Sequence, residues 1–138
     1  MKLPSEKLQG IPVKQYMASK VMTFLPELAI SDAIEMLVQY RYTGAPVVDL
    51  SGKLVGMLSE KDCLRVAVRS GNVGEALVGE YMTKAVESVT PEASLFDVAE
   101  KFTNAQYKRL PVVENGKLVG QISRADILRA IKELMHAK

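Results

Sequence analysis

Apolar residues recur with a helical period in both halves of the chain. In the first half they stand at i, i+3, i+4, i+7 and i+8, at Ile30, Ala33, Ile34, Leu37 and Val38. This spacing places the side chains on one face of a helix. Leu95, Val98, Ala99 and Phe102 repeat the stripe in the second half. The pattern predicts one amphipathic helix in each half of the chain.

A hairpin and a further helix are predicted after each of these helices. The segment PVVENGKLVG places Asn115 and Gly116 between two runs rich in β-branched residues. Asn-Gly is a strong hairpin signal because both turn positions require positive φ. The equivalent turn in the first half, DLSG, is one residue longer. The following helices are expected to start near Glu60 and Arg124, and the second has an apolar face at Ile127, Ala130, Ile131 and Leu134.

The two halves are copies of one another. A shift of the sequence by 65 residues superimposes the Tyr-Met pairs at 16–17 and 81–82, and it also places Tyr42 on Tyr107. With a one-residue deletion in the turn, GKLVG at 52–56 matches GKLVG at 116–120. We therefore divide the chain into a first repeat at 12–69, a glycine-containing linker at 70–77 and a second repeat at 78–138.

Each repeat is expected to contain a short strand, a helix, a hairpin and a second helix. The predicted fold is mixed α/β (α+β), with two three-stranded sheets, helices on one side of each, and pseudo-two-fold symmetry between the repeats. The first helix of the second repeat starts with Ser94 and Asp97 in capping-box spacing, whereas the first repeat has Ala29 at the capping position. The first helix is therefore expected to be less well capped.

The motif G-x-x-S-x-x-D occurs once in each repeat, as GMLSEKD at 56–62 and GQISRAD at 120–126. The serine and aspartate stand where an N-cap residue and its capping-box partner would stand, and capping by itself explains them. The same geometry suits a nucleotide, because a helix N-terminus attracts phosphate and a carboxylate accepts hydrogen bonds from a ribose diol. Both interpretations remain open, since duplication copies caps as readily as sites.

Composition excludes several classes of function. A single cysteine, Cys63, excludes an internal disulfide, and we predict that it is a packed small hydrophobe in a protein of a reducing compartment, the cytoplasm. No stretch has the apolar length of a membrane span, and a net charge of +2 with scattered lysines and arginines does not favour nucleic-acid binding. We find no zinc-site spacing, P-loop or paired nucleophile and base, so neither a metal site nor an enzyme is predicted.

The ordered features of each repeat together resemble the CBS domain, named from cystathionine β-synthase. They are the Tyr-Met pair, the amphipathic helix, Y-x-x-x-P-V-V, G-K-L-V-G and G-x-x-S-x-x-D, and the resemblance extends over residues 12–135. The tandem pair resembles a Bateman module. This resemblance implies a sensor that binds an adenosine-containing ligand such as AMP, ADP, ATP or S-adenosylmethionine in clefts between the repeats.

The resemblance also implies two sets of binding residues. The first set combines the motif of the first repeat, and the apolar Met57 that would cover adenine, with residues of the second repeat. Its members are Ser59, Asp62, Met57, Tyr107, Lys108, Arg109, Val86 and Glu87. The other set is Ser123, Asp126, Gln121, Arg124, Tyr42, Thr43, Val21 and Met22. In these sets Val86 and Glu87, and Val21 and Met22, stand for the short strands of the two repeats. In both sets the aspartate would hold the ribose and the serine a phosphate. Core packing is an equal alternative for Tyr42 and Tyr107.

Charge and polarity separate the two predicted sites. Gln121 replaces the apolar Met57, which weakens the expected adenine contact of the second motif. Lys108, Arg109 and Arg124 would attract phosphate if they face a ligand, and they are otherwise a solvated surface. Glu87 counts against a polyphosphate. We favour the site of Ser59 and Asp62.

The resulting prediction is a regulatory module that senses adenine nucleotides and signals to a separate, unidentified protein. The resemblance further implies a homodimer assembled through exposed helix faces. The alternative is a dimerisation or protein-interaction module whose clefts have lost their ligand, because both motifs would persist as helix caps without one.

Overall fold

The computed structural model describes residues 4–137, which divide into two compact units. The continuous unit is Val21–Val86. The split unit combines residues 4–20 with residues 87–137. Each unit therefore contains the helices and hairpin of one repeat together with the Tyr-Met segment of the other repeat.

Six α-helices and two hairpins make up the described chain. The helices are α1 (Pro4–Gln9), α2 (Ile30–Tyr40), α3 (Glu60–Arg69), α4 (Val78–Tyr81), α5 (Leu95–Asn104) and α6 (Arg124–His136). The strands are β1 (Gly44–Val48), β2 (Leu54–Ser59), β3 (Arg109–Glu114) and β4 (Lys117–Ser123), and they form the antiparallel pairs β1–β2 and β3–β4. A 3₁₀ turn covers Val13–Gln15. Among residues 4–137, no helix has the length and apolar content that crossing a membrane requires.

The turns and caps follow the sequence closely. Asn115 and Gly116 have φ values of 53° and 81°, which confirms the Asn-Gly hairpin. Ser94 caps α5 by accepting a hydrogen bond from the amide of Asp97, whereas α2 starts after Ala29 without a side-chain cap, as predicted.

The predicted third strand of each sheet was wrong. Each sheet has two strands, and the segments around Val21 and Met22 and around Val86 and Glu87 do not pair with it. Two or three residues further along the chain, a single parallel bridge forms in each unit. The bridges join Phe24 with Val47 and Val89 with Val112. The amide of Phe24 donates to the carbonyl of Pro46, and the carbonyl of Phe24 accepts from the amide of Val48.

Proline explains why each of these ladders stops after one bridge. In a parallel ladder the next bond after Phe24 would need the amide of Pro26, and the preceding bond would need the amide of Pro46. Neither residue has an N–H group to donate. Pro91 and Pro111 stand at the same places beside Val89, so both repeats are limited in the same way.

Each unit has its own apolar core. In the continuous unit the core includes Phe24, Ile30, Leu37, Val47, Leu58, Val66 and Val78. In the split unit it includes Leu8, Val13, Leu95, Val98, Leu110, Ile122 and Ile127. Most of the predicted helical stripe is inside, but Val38 is 72% exposed and lies outside the core.

Candidate functional site

The first S-x-x-D motif forms a complete capping box at the start of α3. The hydroxyl of Ser59 accepts a hydrogen bond from the amide of Asp62 at 3.1 Å and donates one to Asp62 Oδ2 at 3.0 Å. The amide of Ser59 also donates to Oδ2, at 2.9 Å. Because β2 ends at Ser59 and α3 begins one residue later, the strand and helix together determine the position of both side chains.

The second motif repeats this geometry at the start of α6. Ser123 accepts from the amide of Asp126 at 3.2 Å, and its hydroxyl and amide donate to Asp126 Oδ2 at 3.0 and 2.8 Å. The capping interpretation of both motifs is therefore confirmed. It leaves the nucleotide interpretation open, because the same groups stand at a helix N-terminus.

An arginine three residues after each aspartate takes up the other carboxylate oxygen. Arg65 donates to Asp62 Oδ1 at 3.1 Å, and Arg129 donates to Asp126 Oδ1 at 3.0 Å. A carboxylate has about four acceptor positions, and three of them are used in each motif. One acceptor position of each carboxylate is therefore open to a ribose diol. Both hydroxyls of the diol can bind the carboxylate only if the arginine moves away. Sequence reasoning missed this role of Arg65 and Arg129, although their identical offset from the two aspartates is a visible signal.

The N-terminus of each motif helix, α3 or α6, retains one backbone amide that is available to a ligand. The amides of Glu60 and Arg124 donate to the carbonyls of Thr43 and Lys108, and the aspartate amides donate to the serine hydroxyls. The amides at the second helical position, Lys61 and Ala125, have no acceptor within residues 4–137. A phosphate at either motif would find that N–H group and the positive end of the helix dipole.

The surroundings of the two serines differ in charge. Gly44 lies opposite Ser59 in the β1–β2 ladder, and a Cβ at position 44 would stand 2.8 Å from the carbonyl oxygen of Leu58, so no side chain fits there. The equivalent position opposite Ser123 is Arg109, whose Nε atom is buried without a hydrogen-bond partner among the described residues. The structure thus places Arg109 in the same ladder as Ser123.

Arg124 has a structural partner. Its guanidinium donates to the carbonyls of Phe102 and Ala105 at 3.5 and 3.3 Å, at the C-terminal end of α5. These bonds satisfy carbonyls that the helix leaves open. Arg124 is therefore engaged within the split unit and would have to leave α5 to contact a phosphate.

Glu87 and Tyr107, which were predicted to contribute to one site, come together in the split unit. They line a pocket of about 450 Å³ that also contains Asp97, Glu100 and Lys101. Glu87 accepts a hydrogen bond from Lys101 at 2.7 Å, so its charge is balanced by a neighbour. The pocket carries more carboxylates than cations and does not favour an anionic group.

Lys108 is exposed, and Val86 is half-buried at the end of the continuous unit.

Tyr42 and Thr43 line a larger groove between α2 and α3. The groove has a volume of about 700 Å³, and apolar side chains from both helices form most of its wall, namely Ile34, Leu37, Val38, Cys63, Leu64 and Ala67. The ring of Tyr42 stacks with that of Tyr40, with centroids 6.4 Å apart. Burial raises the pKa of the Cys63 thiol, and the charges of Asp62 and Glu60 raise it further.

The adenine-contact positions lie on the same strand face as the motif serines. Met57 is two residues before Ser59 and Gln121 is two residues before Ser123, and both are half-buried. Their backbones bind the Tyr-Met segments: Met57 exchanges two hydrogen bonds with Thr83, and Gln121 exchanges two with Ala18. Val21 and Met22 are half-buried in the continuous unit, and Met22 packs against its core.

Tyr16 is linked to Asp126 through Arg129, which contacts both residues. Its hydroxyl donates to the carboxylate of Glu133, its carbonyl accepts from Arg129, and its ring lies under the Arg129 guanidinium at 5.4 Å. The hydrogen bond to Glu133 raises the pKa of Tyr16 above its ordinary value.

Within residues 4–137, no group of three or more His, Cys, Asp and Glu side chains has the arrangement of a metal site.

Comparison with known proteins identifies the fold family. The family model for the CBS domain matches residues 13–69 and again residues 78–133. CBSX1, a chloroplastic CBS domain-containing protein of Arabidopsis thaliana, is 33% identical over 79% of this chain and 58% of its own length. An uncharacterized protein of Methanocaldococcus jannaschii is 32% identical over 87% of this chain and 42% of its own length. The chain thus spans about half the length of these two relatives.

A solved structure supports the same assignment. The crystal structure of Arabidopsis CBSX2 in complex with AMP has a TM-score of 0.81 and 30% sequence identity to this chain, and the match covers 92% of this chain and 100% of that one. Together with the two family matches, this confirms the resemblance inferred from the sequence and the mixed fold of helices and hairpins. The chain belongs to the CBS domain family and carries two CBS domains in tandem.

Proposed function

We propose that this chain is a regulatory module that binds an adenosine-containing ligand through its two S-x-x-D motifs and signals ligand occupancy to a separate protein. The observation that carries the proposal is the repetition of one geometry, a serine and an aspartate at a helix N-terminus directly after a strand. CBSX2, which is 30% identical over 92% of this chain, binds AMP. The proposed role is regulatory rather than catalytic.

The chemistry of each motif suits the parts of a nucleotide. The open acceptor position of Asp62 or Asp126 would take a ribose hydroxyl, and the free amide of Lys61 or Ala125 would donate to a phosphate oxygen. Met57 offers an apolar surface to adenine where Gln121 offers a polar one. The remaining residues inferred from the sequence, including Tyr107 and Lys108, stay predictions.

Exposure modifies the ranking of the two motifs. The side chain of Asp62 is 6% exposed, whereas that of Asp126 is 16% exposed. Arg109 also stands in the ladder opposite Ser123, where the other motif has Gly44. These two observations favour the second motif for a phosphorylated ligand, in contrast to the preference for Ser59 and Asp62 drawn from the sequence.

A thermal-shift screen with matched variants tests the proposal. The ligands are AMP, ADP, ATP, adenosine, S-adenosylmethionine and NAD, with GTP as the control. A ligand at 100 times its Kd stabilises the folded state by about 2.7 kcal/mol. We expect adenosine compounds and not GTP to raise the melting temperature, and Asp62→Asn or Asp126→Asn to remove the shift at the motif that binds. Equal shifts for wild type and both variants would exclude the motifs as the site.

Lys108→Ala separates phosphate recognition from nucleoside recognition. Loss of a cation near a phosphate should weaken AMP and ATP more than adenosine. Calorimetry on the three ligands measures this difference. Equal losses for all three would remove the proposed phosphate contact.

A specific observation supports the second candidate function, a protein-interaction module without a ligand. All but one of the acceptor positions of each motif carboxylate are satisfied internally, and apolar side chains are exposed on α2 and α3. Val38 is 72% exposed, Leu64 64% and Val68 82%. We propose that a second copy of the chain covers this surface in a homodimer. Absence of any shift in the ligand screen at millimolar concentration would favour this candidate.

A further inference from the structure

Arg129 connects the second motif to the N-terminal segment of the chain. One guanidinium nitrogen donates to Asp126 Oδ1 at 3.0 Å, and the other donates to the carbonyl oxygen of Tyr16 at 3.1 Å. The guanidinium also lies 5.4 Å from the centre of the Tyr16 ring, within the range of a cation–π interaction. Tyr16 is held from its other end by the hydrogen bond of its hydroxyl to Glu133.

The first repeat lacks this connection although its motif is the same. Arg65 donates to Asp62, but within the described residues it makes no ring contact or hydrogen bond with Tyr81, the counterpart of Tyr16. The counterpart of Glu133 is Arg69, and a guanidinium has no acceptor for a tyrosine hydroxyl. The continuous unit therefore provides an internal control for the split unit.

Tyr16 lies between two anchored parts of the N-terminal segment. Upstream, α1 packs against α5 and α6, and Leu8 of α1 is buried in the core of the split unit. Downstream, Ala18 exchanges two backbone hydrogen bonds with Gln121 of β4. A change at the Arg129 guanidinium thus reaches a segment that runs from α1 to the edge of the β3–β4 sheet.

We propose that Arg129 is a positioning residue that orients the Asp126 carboxylate and transmits its occupancy to the N-terminal segment through Tyr16. The inference rests on the proposed function. Both hydroxyls of a ribose can bind the Asp126 carboxylate only when one of them takes the acceptor position on Oδ1 that Arg129 occupies, and the weakened Asp126–Arg129 bond then changes the position of the cation over the Tyr16 ring. Binding shifts the segment only as far as the ligand prefers the altered arrangement.

The coupling is first tested without a ligand. In Asp126→Asn the charge-assisted bond from Arg129 is weakened, so the ring resonances of Tyr16 should move and the amides of Tyr16, Met17 and Ala18 should exchange roughly fivefold faster, the lower end of common coupling strengths. Asp62→Asn is the matched control and should leave the Tyr81 ring resonances in place. Tyr16→Phe assigns the ring signals. Unchanged Tyr16 signals in folded Asp126→Asn would overturn the inference whatever any ligand does.

The second arm adds AMP at saturation and compares wild type with Arg129→Gln. We expect AMP to move the Tyr16 signals of wild type and to leave those of Arg129→Gln unchanged, a pattern that a merely structural arginine would not produce. If Arg129→Gln does not fold, Glu133→Gln replaces it in this comparison. This change is at an exposed position and should reduce the movement of the Tyr16 signals when AMP is added. AMP binding that requires Asp126 but leaves Tyr16 unchanged would overturn the inference and retain the proposed function. No binding of AMP would exclude AMP as the ligand and the transmission of AMP occupancy with it, and the ligand-free comparison would still decide whether Asp126 is coupled to Tyr16.

Discussion

Gly56 lies directly against Thr83: a Cβ at position 56 would stand 2.9 Å from the carbonyl oxygen of Thr83. It would also stand 2.6 Å from the sulfur of Met82. In the split unit Gly120 has the same relationship to Ala18, at 2.7 Å from its carbonyl oxygen. The glycine of each G-x-x-S-x-x-D motif therefore allows the Tyr-Met segment of the other repeat to pack against the hairpin.

Gly56→Ala is expected to destabilise the protein by about 1–3 kcal/mol, the usual range for overpacking. The added methyl group meets backbone as well as the flexible Met82 side chain, so it cannot be accommodated by a rotamer change alone. Urea unfolding followed by circular dichroism measures the loss. Gly74→Ala is the control, because the nearest atom to a Cβ there is 3.8 Å away. Equal stability of the two variants would contradict the close packing of the segment.

Ala29→Ser should stabilise the protein by about 1 kcal/mol, the typical effect of an N-cap side chain. Ala29 already has the extended conformation of an N-cap residue, with φ −67° and ψ 143°, and lacks only an acceptor. The reverse change, Ser94→Ala on α5, should cost about the same amount. Denaturant midpoints of the two variants provide the comparison. A destabilising Ala29→Ser would show that the half-buried position has no room for a hydroxyl.

Cys63 should react slowly with iodoacetamide in the native protein. The side chain is buried, and desolvation raises the pKa of its thiol above the ordinary value of 9.0. At pH 8 the native rate is expected to be roughly tenfold or more below the rate in urea, because the thiolate is the reactive form. Since the pKa is raised, the midpoint of the rate against pH should lie at a higher pH in the native protein than in urea. Equal rates in native and unfolded protein would contradict the burial of Cys63.

Leu64→Glu should convert the proposed homodimer to a monomer. The leucine is 64% exposed on α3 beside the apolar groove, and a carboxylate placed in an apolar interface loses its hydration without gaining a partner. Sedimentation velocity at micromolar concentration distinguishes the two states. Leu50→Glu makes the same chemical change in the β1–β2 turn, where the leucine is 91% exposed, and should leave the dimer intact. A monomeric wild type would exclude the dimer itself.

Local features of the fold followed from local chemistry. The Asn115-Gly116 turn needs positive φ at both positions, and the capping serines need only a helix that starts one residue later. Both were predicted because the relevant interactions span fewer than four residues. The geometry of Ser59, Asp62, Ser123 and Asp126 could be predicted for the same reason, because these residues belong to local capping boxes. Their role in binding a ligand stays a prediction.

Other features were set by residues distant in sequence. The helical period placed Val38 on the apolar face, but its side chain is 72% exposed, whereas the adjacent Leu37 is buried in the core. A third strand was expected in each sheet, but prolines at the donor positions on both sides of the single bridge prevent a longer ladder. Arg129 was passed over because its partner Tyr16 is 113 residues away along the chain.

The sequence by itself determined the duplication, the order of elements in each repeat, the caps and the CBS family. Only the tertiary structure decided that residues 4–20 pack with the second repeat and that Thr83 pairs with the first hairpin. The physical reason is that the two repeats have matching apolar patterns and matching glycines, so pairing within a repeat and exchange between repeats satisfy the same local preferences. Backbone hydrogen bonds such as those between Met57 and Thr83 distinguish them, and they form only when the folded chain brings both strands together.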